Sequence, residues 1–404
     1  MVHGLVRTLT VLIGIGIFAL VAVPLVFWLE HMMPVTLPKP TGPFGVGRLT
    51  TDWSDPQTPE SLAPEPGTHR QLLVWIWYPA VEEPHGTSEY VPAKLAAATE
   101  RARGTLLGKL LTRGLRRVRT HSIPDAAVSP QQRSYPVLIM RGGASSPVWN
   151  YSVLAEDLAS HGFVVVGFDA PYRTALVVLP DGEVITRAPE NNPEACLGMA
   201  QQEPCIVRVI NAWTGDMSFA LDRLADLNIH DPSGIFTGRL DLSRVGAFGH
   251  SLGGAEALQF CHLDSRCKAG ANLDGALHGD VVEAGFDRPF MFLLSDHGRE
   301  SDPQKAQIVG DIQSVYDRLP QKGRALLEIR GANHFMFGDD GALLKSHIVL
   351  GMLRSVGMVK IDGRRQLTIT TYCLRSFFDA FLKDGNPSHF TILSPRYPEL
   401  QPFP

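Results

Sequence analysis

The stretch "VGAFGHSLGGAEAL" (245–258) constrains this chain more than any other part of it. An apolar run leads into Gly249-His250-Ser251-Leu252-Gly253, and an alanine-rich helical pattern follows. A serine flanked this way sits on a sharp strand-to-helix turn, where a side chain at Gly249 or Gly253 would collide with the neighbouring element. Such a turn strains the serine backbone and lifts its hydroxyl above the strand ends. The unpaired first amides of the following helix then favour negative charge at that point. The setting marks Ser251 as a candidate nucleophile and Gly249 and Gly253 as the glycines of its elbow. His250 is next to Ser251 in the chain and points away from it, so it is read as structural.

The pattern around the elbow is regular. Apolar segments 70–80, 135–143, 163–170, 268–276, 288–296 and 324–335 read as strands, and 149–161, 206–227, 252–262, 302–318 and 369–382 as helices. Apolar strands alternating with helices give an α/β class: a mostly parallel central sheet with helices on both faces. A net charge of −4 and the lack of basic-aromatic or zinc-finger patterning exclude a nucleic-acid partner. No ligand cluster spaced for a metal is present, and no cofactor is implied.

Residues 9–29, "LTVLIGIGIFALVAVPLVFWL", carry no charge. They predict an N-terminal transmembrane helix (signal anchor, 1–33), with Arg7 on the cytoplasmic side and the remainder extracytoplasmic. Secretion after signal cleavage is the alternative. Eight prolines between Pro34 and Pro66 predict an extended linker over 34–68. The catalytic unit then spans 69–390, followed by a tail, 391–404.

The insert 87–133 carries Lys94, Arg101, Arg103, Lys109, Arg113, Arg116, Arg117 and Arg119. Leu106, Leu107, Leu110, Leu111, Leu115 and Val118 recur at three- and four-residue steps, predicting a basic amphipathic helix. Two readings stand: a helix that enters a lipid interface, or a lid packed over the site. Of five cysteines, Cys196/Cys205 and Cys261/Cys267 flank short loops and could bridge locally; Cys373 is left over.

A serine nucleophile needs a base and an acid, in the chain order nucleophile, acid, histidine. His334 in "RGANHFMFG" follows a predicted strand directly and is the candidate base. Asp274 and Asp296 each end a strand, and position alone leaves both open as the acid. An oxyanion hole needs two backbone amides: Leu252, after the serine, and Gly143 or Ala144 in the loop "RGGASSP".

Several segments together resemble the platelet-activating-factor acetylhydrolases of the plasma and isoform II type, serine esterases of the α/β-hydrolase fold. They are "WYPA" (77–80), "GGASSPVWNYSVLAEDLASHGF" (142–163), "GHSLGGA" (249–255), "KAGANLDG" (268–275), "GANHFMFGD" (331–339) and "TYCLRSFF" (371–378). The resemblance implies Asp274, in "LDG", as the acid, with Asp296 the alternative. It also implies Leu252 and Ala144 as the oxyanion donors. One departure is plain: Arg141-Gly142-Gly143 stands where the family's loop usually begins with histidine-glycine.

The resemblance implies a serine carboxylic-ester hydrolase that removes short or oxidised acyl chains from phospholipids through an acyl-serine. The membrane would be met through the anchor and the basic insert. A general short-chain ester, lactone or polyester hydrolase is the alternative. A non-catalytic binding protein on the same scaffold is the third reading.

Overall fold

The computed structural model describes residues 18, 20–81, 87–102, 104, 113–144, 146–196, 201–296, 303–343, 351, 354–355, 357, 359–383 and 392–403. Its centre is a ten-stranded sheet. In chain order the strands are β1 (Gly45–Pro59), β2 (His69–Ala80), β3 (Ser122–Pro124), β4 (Tyr135–Arg141) and β5 (Val164–Asp169). They continue as β6 (Leu240–His250), β7 (Cys267–Leu273), β8 (Phe290–Leu294), β9 (Arg324–Ile329) and β10 (Leu400–Pro402). Across the sheet the order is β10-β9-β8-β7-β6-β4-β5-β2-β1-β3. The strands from β5 through β9 run parallel, whereas β2 joins β5, β1 joins β2 and β10 joins β9 antiparallel.

Alternation along each strand feeds two cores. Trp75, Trp77, Leu138 and Met140 pack on one face with α2 (Ser152–Ser160) and α6 (Gly363–Phe378). Val74, Ile76, Val137 and Ile139 pack on the other with α3 (Gln202–Ile229) and α4 (Leu252–Leu263). Burying each such aliphatic side chain stabilises the fold by about 1.5–3 kcal/mol, which is why central strands read as continuous apolar runs. Two further helices are α1 (Ala93–Ala102) and α5 (Pro303–Arg318). Disulfides join Cys196 to Cys205 and Cys261 to Cys267, and Cys373 is free and buried.

The transmembrane helix expected at the N-terminus is not supported. Among the described residues no helix is long and apolar enough to cross a membrane. The described helical stretch, 20–32, extends roughly 20 Å at the α-helical rise, against roughly 30 Å of bilayer hydrocarbon. Its end is tied to the domain: Arg113 Nη1 donates to the Glu30 carbonyl (3.0 Å) and the Gly114 amide to that of His31 (3.2 Å). Residues 9–17 and 19 of the expected span lie outside the described residues. The membrane-anchored, extracytoplasmic placement loses its support with that span.

The segments read as linker and tail contribute strands. Between Pro43 and Pro56 there is no proline, so residues 45–55 pair continuously with β2, and the prolines fall before the strand and at its irregular end. The tail supplies β10 at the opposite edge. The basic insert is not one helix either. Its described residues contain α1, a single turn at Leu115–Arg117 and three short strands, Ser88–Glu89, Val118–Thr120 and β3. Leu115 and Val118 point into the core, and Leu106, Leu107, Leu110 and Leu111 lie outside the described residues.

A chain starting at residue 69 therefore loses a core strand, not a spacer. It is expected to show no cooperative thermal transition by circular dichroism, whereas deleting a true linker would leave the melting temperature unchanged.

Candidate active site

Ser251 lies between β6 and α4 at φ 54°, ψ −127°, in a region L-residues rarely occupy. Glycines make the turn possible. A Cβ on Gly249 would fall 2.1 Å from the Gly253 carbonyl oxygen, and one on Gly253 would fall 2.4 Å from that of Gly142. The Ser251 amide donates to the Leu273 carbonyl (2.8 Å), which fixes the elbow to β7.

Asp274 follows β7, also at positive φ (58°). The turn is shaped by buried Asn272, which accepts from the Gly275 amide (2.6 Å) and donates to the Gly275 carbonyl (3.0 Å). Ser295, at the end of β8, donates to Asp274 through its amide (2.9 Å) and its hydroxyl (2.6 Å). His334 enters from the loop after β9. Its Nδ1 lies 2.8 Å from Asp274 Oδ2 and its Nε2 lies 3.1 Å from Ser251 Oγ. The Asp274 side chain is shut off from solvent, while the His334 ring is 36% exposed. The three residues form one hydrogen-bonded line with its open end at the serine. Asp296 is engaged elsewhere: it accepts from the Gly331 amide (2.9 Å) and faces Lys360 (3.4 Å).

The loop after β4 approaches the serine so closely that a Cβ on Gly143 would lie 3.0 Å from Ser251 Cβ. The Gly143 amide donates to the Tyr151 hydroxyl (2.9 Å). The next residue, Ala144, has φ 30°. Among the described residues neither the Ala144 nor the Leu252 amide has a hydrogen-bond acceptor. Arg141, the departure at the head of this loop, turns to the other side of the sheet. Its Nε donates to Glu256 of α4 (3.0 Å), and its guanidinium stacks 3.5 Å from the Trp213 ring centroid. Burial pushes the Glu256 carboxyl up to about 7, and Arg141 opposes the shift.

Asp339 is a residue that sequence reading quoted in "GANHFMFGD" without giving it a role. It is fully buried. It accepts from the Ser152 and Val153 amides at the start of α2 (3.0 and 2.9 Å) and from the Tyr90 hydroxyl (2.8 Å). It thus caps α2 from a distance and ties the His334 loop to the helix that follows the Gly143 loop. Burial pushes its carboxyl up to about 7, against the pull of those donors. Among the described residues no group of three or more histidine, cysteine or acidic side chains is arranged to hold a metal.

This geometry can be set beside known proteins. The model of the family described as platelet-activating factor acetylhydrolase, isoform II, matches residues 30–179. A probable 1-alkyl-2-acetylglycerophosphocholine esterase of Arthroderma benhamiae is 26% identical over 400 residues, covering 90% of this chain and 92% of that protein. A platelet-activating factor acetylhydrolase of Cavia porcellus is 26% identical over 367 residues, covering 86% and 78%. The family match and these relatives together support a place for the chain among the platelet-activating factor acetylhydrolases of isoform II type. The family match and the esterase relatives indicate a serine ester hydrolase. A solved ferulic acid esterase from Streptomyces cinnamoneus superposes with a TM-score of 0.73 over 91% of this chain and 99% of that one. At 24% identity that likeness speaks for the α/β-hydrolase fold alone.

The raised carboxyl of Asp339 gives this chain a pH signature. The folded state holds a proton that the unfolded chain releases near pH 4, so this group's stabilisation is full below about pH 4 and is lost as pH rises towards 7. Asp339→Asn cannot titrate and is expected to flatten that part of the stability–pH curve, read from urea midpoints between pH 4 and 8. Glu256→Gln leaves the buried Arg141 uncompensated and is expected to cost about 3–5 kcal/mol in the same assay at pH 8.

Proposed function

We propose that this acetylhydrolase relative removes short acyl groups, acetyl or oxidatively shortened, from glycerophospholipids through an acyl-serine intermediate. Ser251 attacks the ester carbonyl as His334 takes its proton at Nε2, and Asp274 holds the other ring nitrogen and stabilises the imidazolium. The Leu252 and Ala144 amides receive the negative charge that develops on the carbonyl oxygen. His334 then returns the proton to the departing alcohol. In the second half it takes a proton from water, which attacks the acyl carbonyl and frees Ser251.

The observation that carries the chemistry is the His334 ring with both nitrogens engaged, one by Ser251 and one by a carboxylate sealed from solvent. The acyl-glycerophosphocholine class rests on the names of the relatives in Arthroderma benhamiae and Cavia porcellus.

Ser251→Ala is expected to lose at least about 10⁴-fold in turnover of p-nitrophenyl acetate, with its melting temperature retained. Asp274→Asn is expected to lose about 10⁴-fold in kcat through the wrong histidine tautomer, while Asp296→Asn keeps its turnover. Full turnover in Ser251→Ala would sink the assignment. For the substrate, kcat/KM on an acetylated ether phospholipid is expected to exceed that on the p-nitrophenyl butyrate-to-decanoate series. The reverse order would mean a general short-chain esterase.

A further inference from the structure

We propose that Tyr151 and His250 form a buried strut that sets the oxyanion loop against Ser251, which makes both positioning residues for ester hydrolysis. The proposal rests on the reading of Ser251 as nucleophile given above.

The strut is visible as a chain of contacts. The Tyr151 phenol oxygen accepts the Gly143 amide (2.9 Å) and is also hydrogen-bonded by the Ser146 side chain. Both donors come from the loop after β4. With those positions filled, the phenol sends its own proton to His250 Nδ1, 2.8 Å away. His250 is the residue before the nucleophile, so one hydroxyl joins the loop to the elbow. Both side chains are buried.

His250 suits the task because it stays neutral. Burial and the neighbouring His334 hold its pKa down at about 3, outweighing Asp274 and the His334 backbone, which favour a proton. A ring kept neutral can accept at Nδ1 across the neutral range, and the strut uses the tautomer whose proton sits on Nε2. The same ring packs 4.7 Å from the His334 ring and 5.5 Å from that of Phe337, so it also backs the base.

The consequence for the oxyanion hole is one of allocation. The Gly143 amide is spent on Tyr151, so it cannot face the substrate. The amide that follows, on Ala144, belongs to a residue at φ 30°, and the Ser146 amide closes the turn onto the Gly143 carbonyl (2.6 Å). A backbone held there needs surroundings that over-determine it. A Cβ on Gly143 would also meet His250 Nδ1 at 3.1 Å, so the loop, the strut and the nucleophile are in mutual contact.

Tyr151→Phe keeps the ring and removes only the hydroxyl. In the full chain it is expected to lower kcat on p-nitrophenyl acetate about 10- to 100-fold per fluorophosphonate-titrated site, leaving KM little changed. Affinity for a trifluoromethyl ketone, whose hemiketal oxygen occupies the oxyanion hole, should fall by the same factor. The inflections of the kcat/KM–pH profile should stay in place. A second pair tests the other end: His250→Asn can still accept the phenol proton and should retain more kcat than His250→Leu. If the strut is merely structural, Tyr151→Phe will melt earlier and titrate fewer sites, yet turn over normally per site. That result overturns the proposal. A dead Ser251→Ala beside a fully active Tyr151→Phe would reject the strut alone; an active Ser251→Ala would reject the reading beneath it.

Discussion

Everything in the site depends on how closely the loop after β4 approaches the elbow after β6. β4 and β6 are hydrogen-bonded neighbours at the centre of the sheet, with Gly249 in register with Arg141. Their extensions meet where Gly253 lies against the Arg141 and Gly142 carbonyls and Gly143 against Ser251. Any side chain at those glycines would force the elements apart by more than the oxyanion geometry tolerates, because donors are useful only near 2.7–3.1 Å from the developing charge. The glycines permit the approach; they do not enforce it. The Arg141–Glu256 pair pulls β4 and α4 together below the sheet's end, at a residue five beyond the serine. Because both groups are buried, that pair holds its geometry more firmly than an exposed one would.

His334 has a different problem, since it arrives on a loop and not on a strand. Three sets of contacts restrain that loop. Asp274 holds the ring itself, and Asn333 pairs with Gln366 of α6 through two hydrogen bonds of 2.9 Å. Asp339 anchors the far end to α2. The His334 loop and the Gly143 loop thereby share one support, α2 and the turn that leads into it.

The reading of the sequence reached the central strands because strands covered on both faces read as apolar runs, as most of β2, nearly all of β4 and β5 and the second half of β6 do. It missed β1 because proline density was read as a property of the whole segment, when only the placement of each proline matters. β3 and β10 are three residues each, too short for any period to register. In the site, Ser251 and His334 carried local signals: glycine spacing in one case, a strand end in the other. Choosing Asp274 over Asp296 needed the family resemblance, for both aspartates end strands. Ser295 and Asp339 carried no local signal, because each acts on residues far away in the chain. Asp339 lies 249 positions from Tyr90 and 187 from Ser152. Arg141 stood out as a departure, yet its partner Glu256 is 115 positions on.

The insert shows the same limit from the other side. Its basic residues and spaced leucines suggested an independent amphipathic helix, and helical spacing is indifferent to what lies on either side. The described part is tied into the domain at both ends. Arg48 of β1 donates to the Glu89 and Tyr90 carbonyls, and Glu156 of α2 accepts from the His121 and Ser122 amides. Tyr90 also reaches Asp339 directly. The insert thus leans on the same helix as the base and the oxyanion loop. Tyr90 donates to the same carboxylate that accepts from the first amides of α2, so the described part of the insert is packed against the cap of that helix and not held apart from the domain.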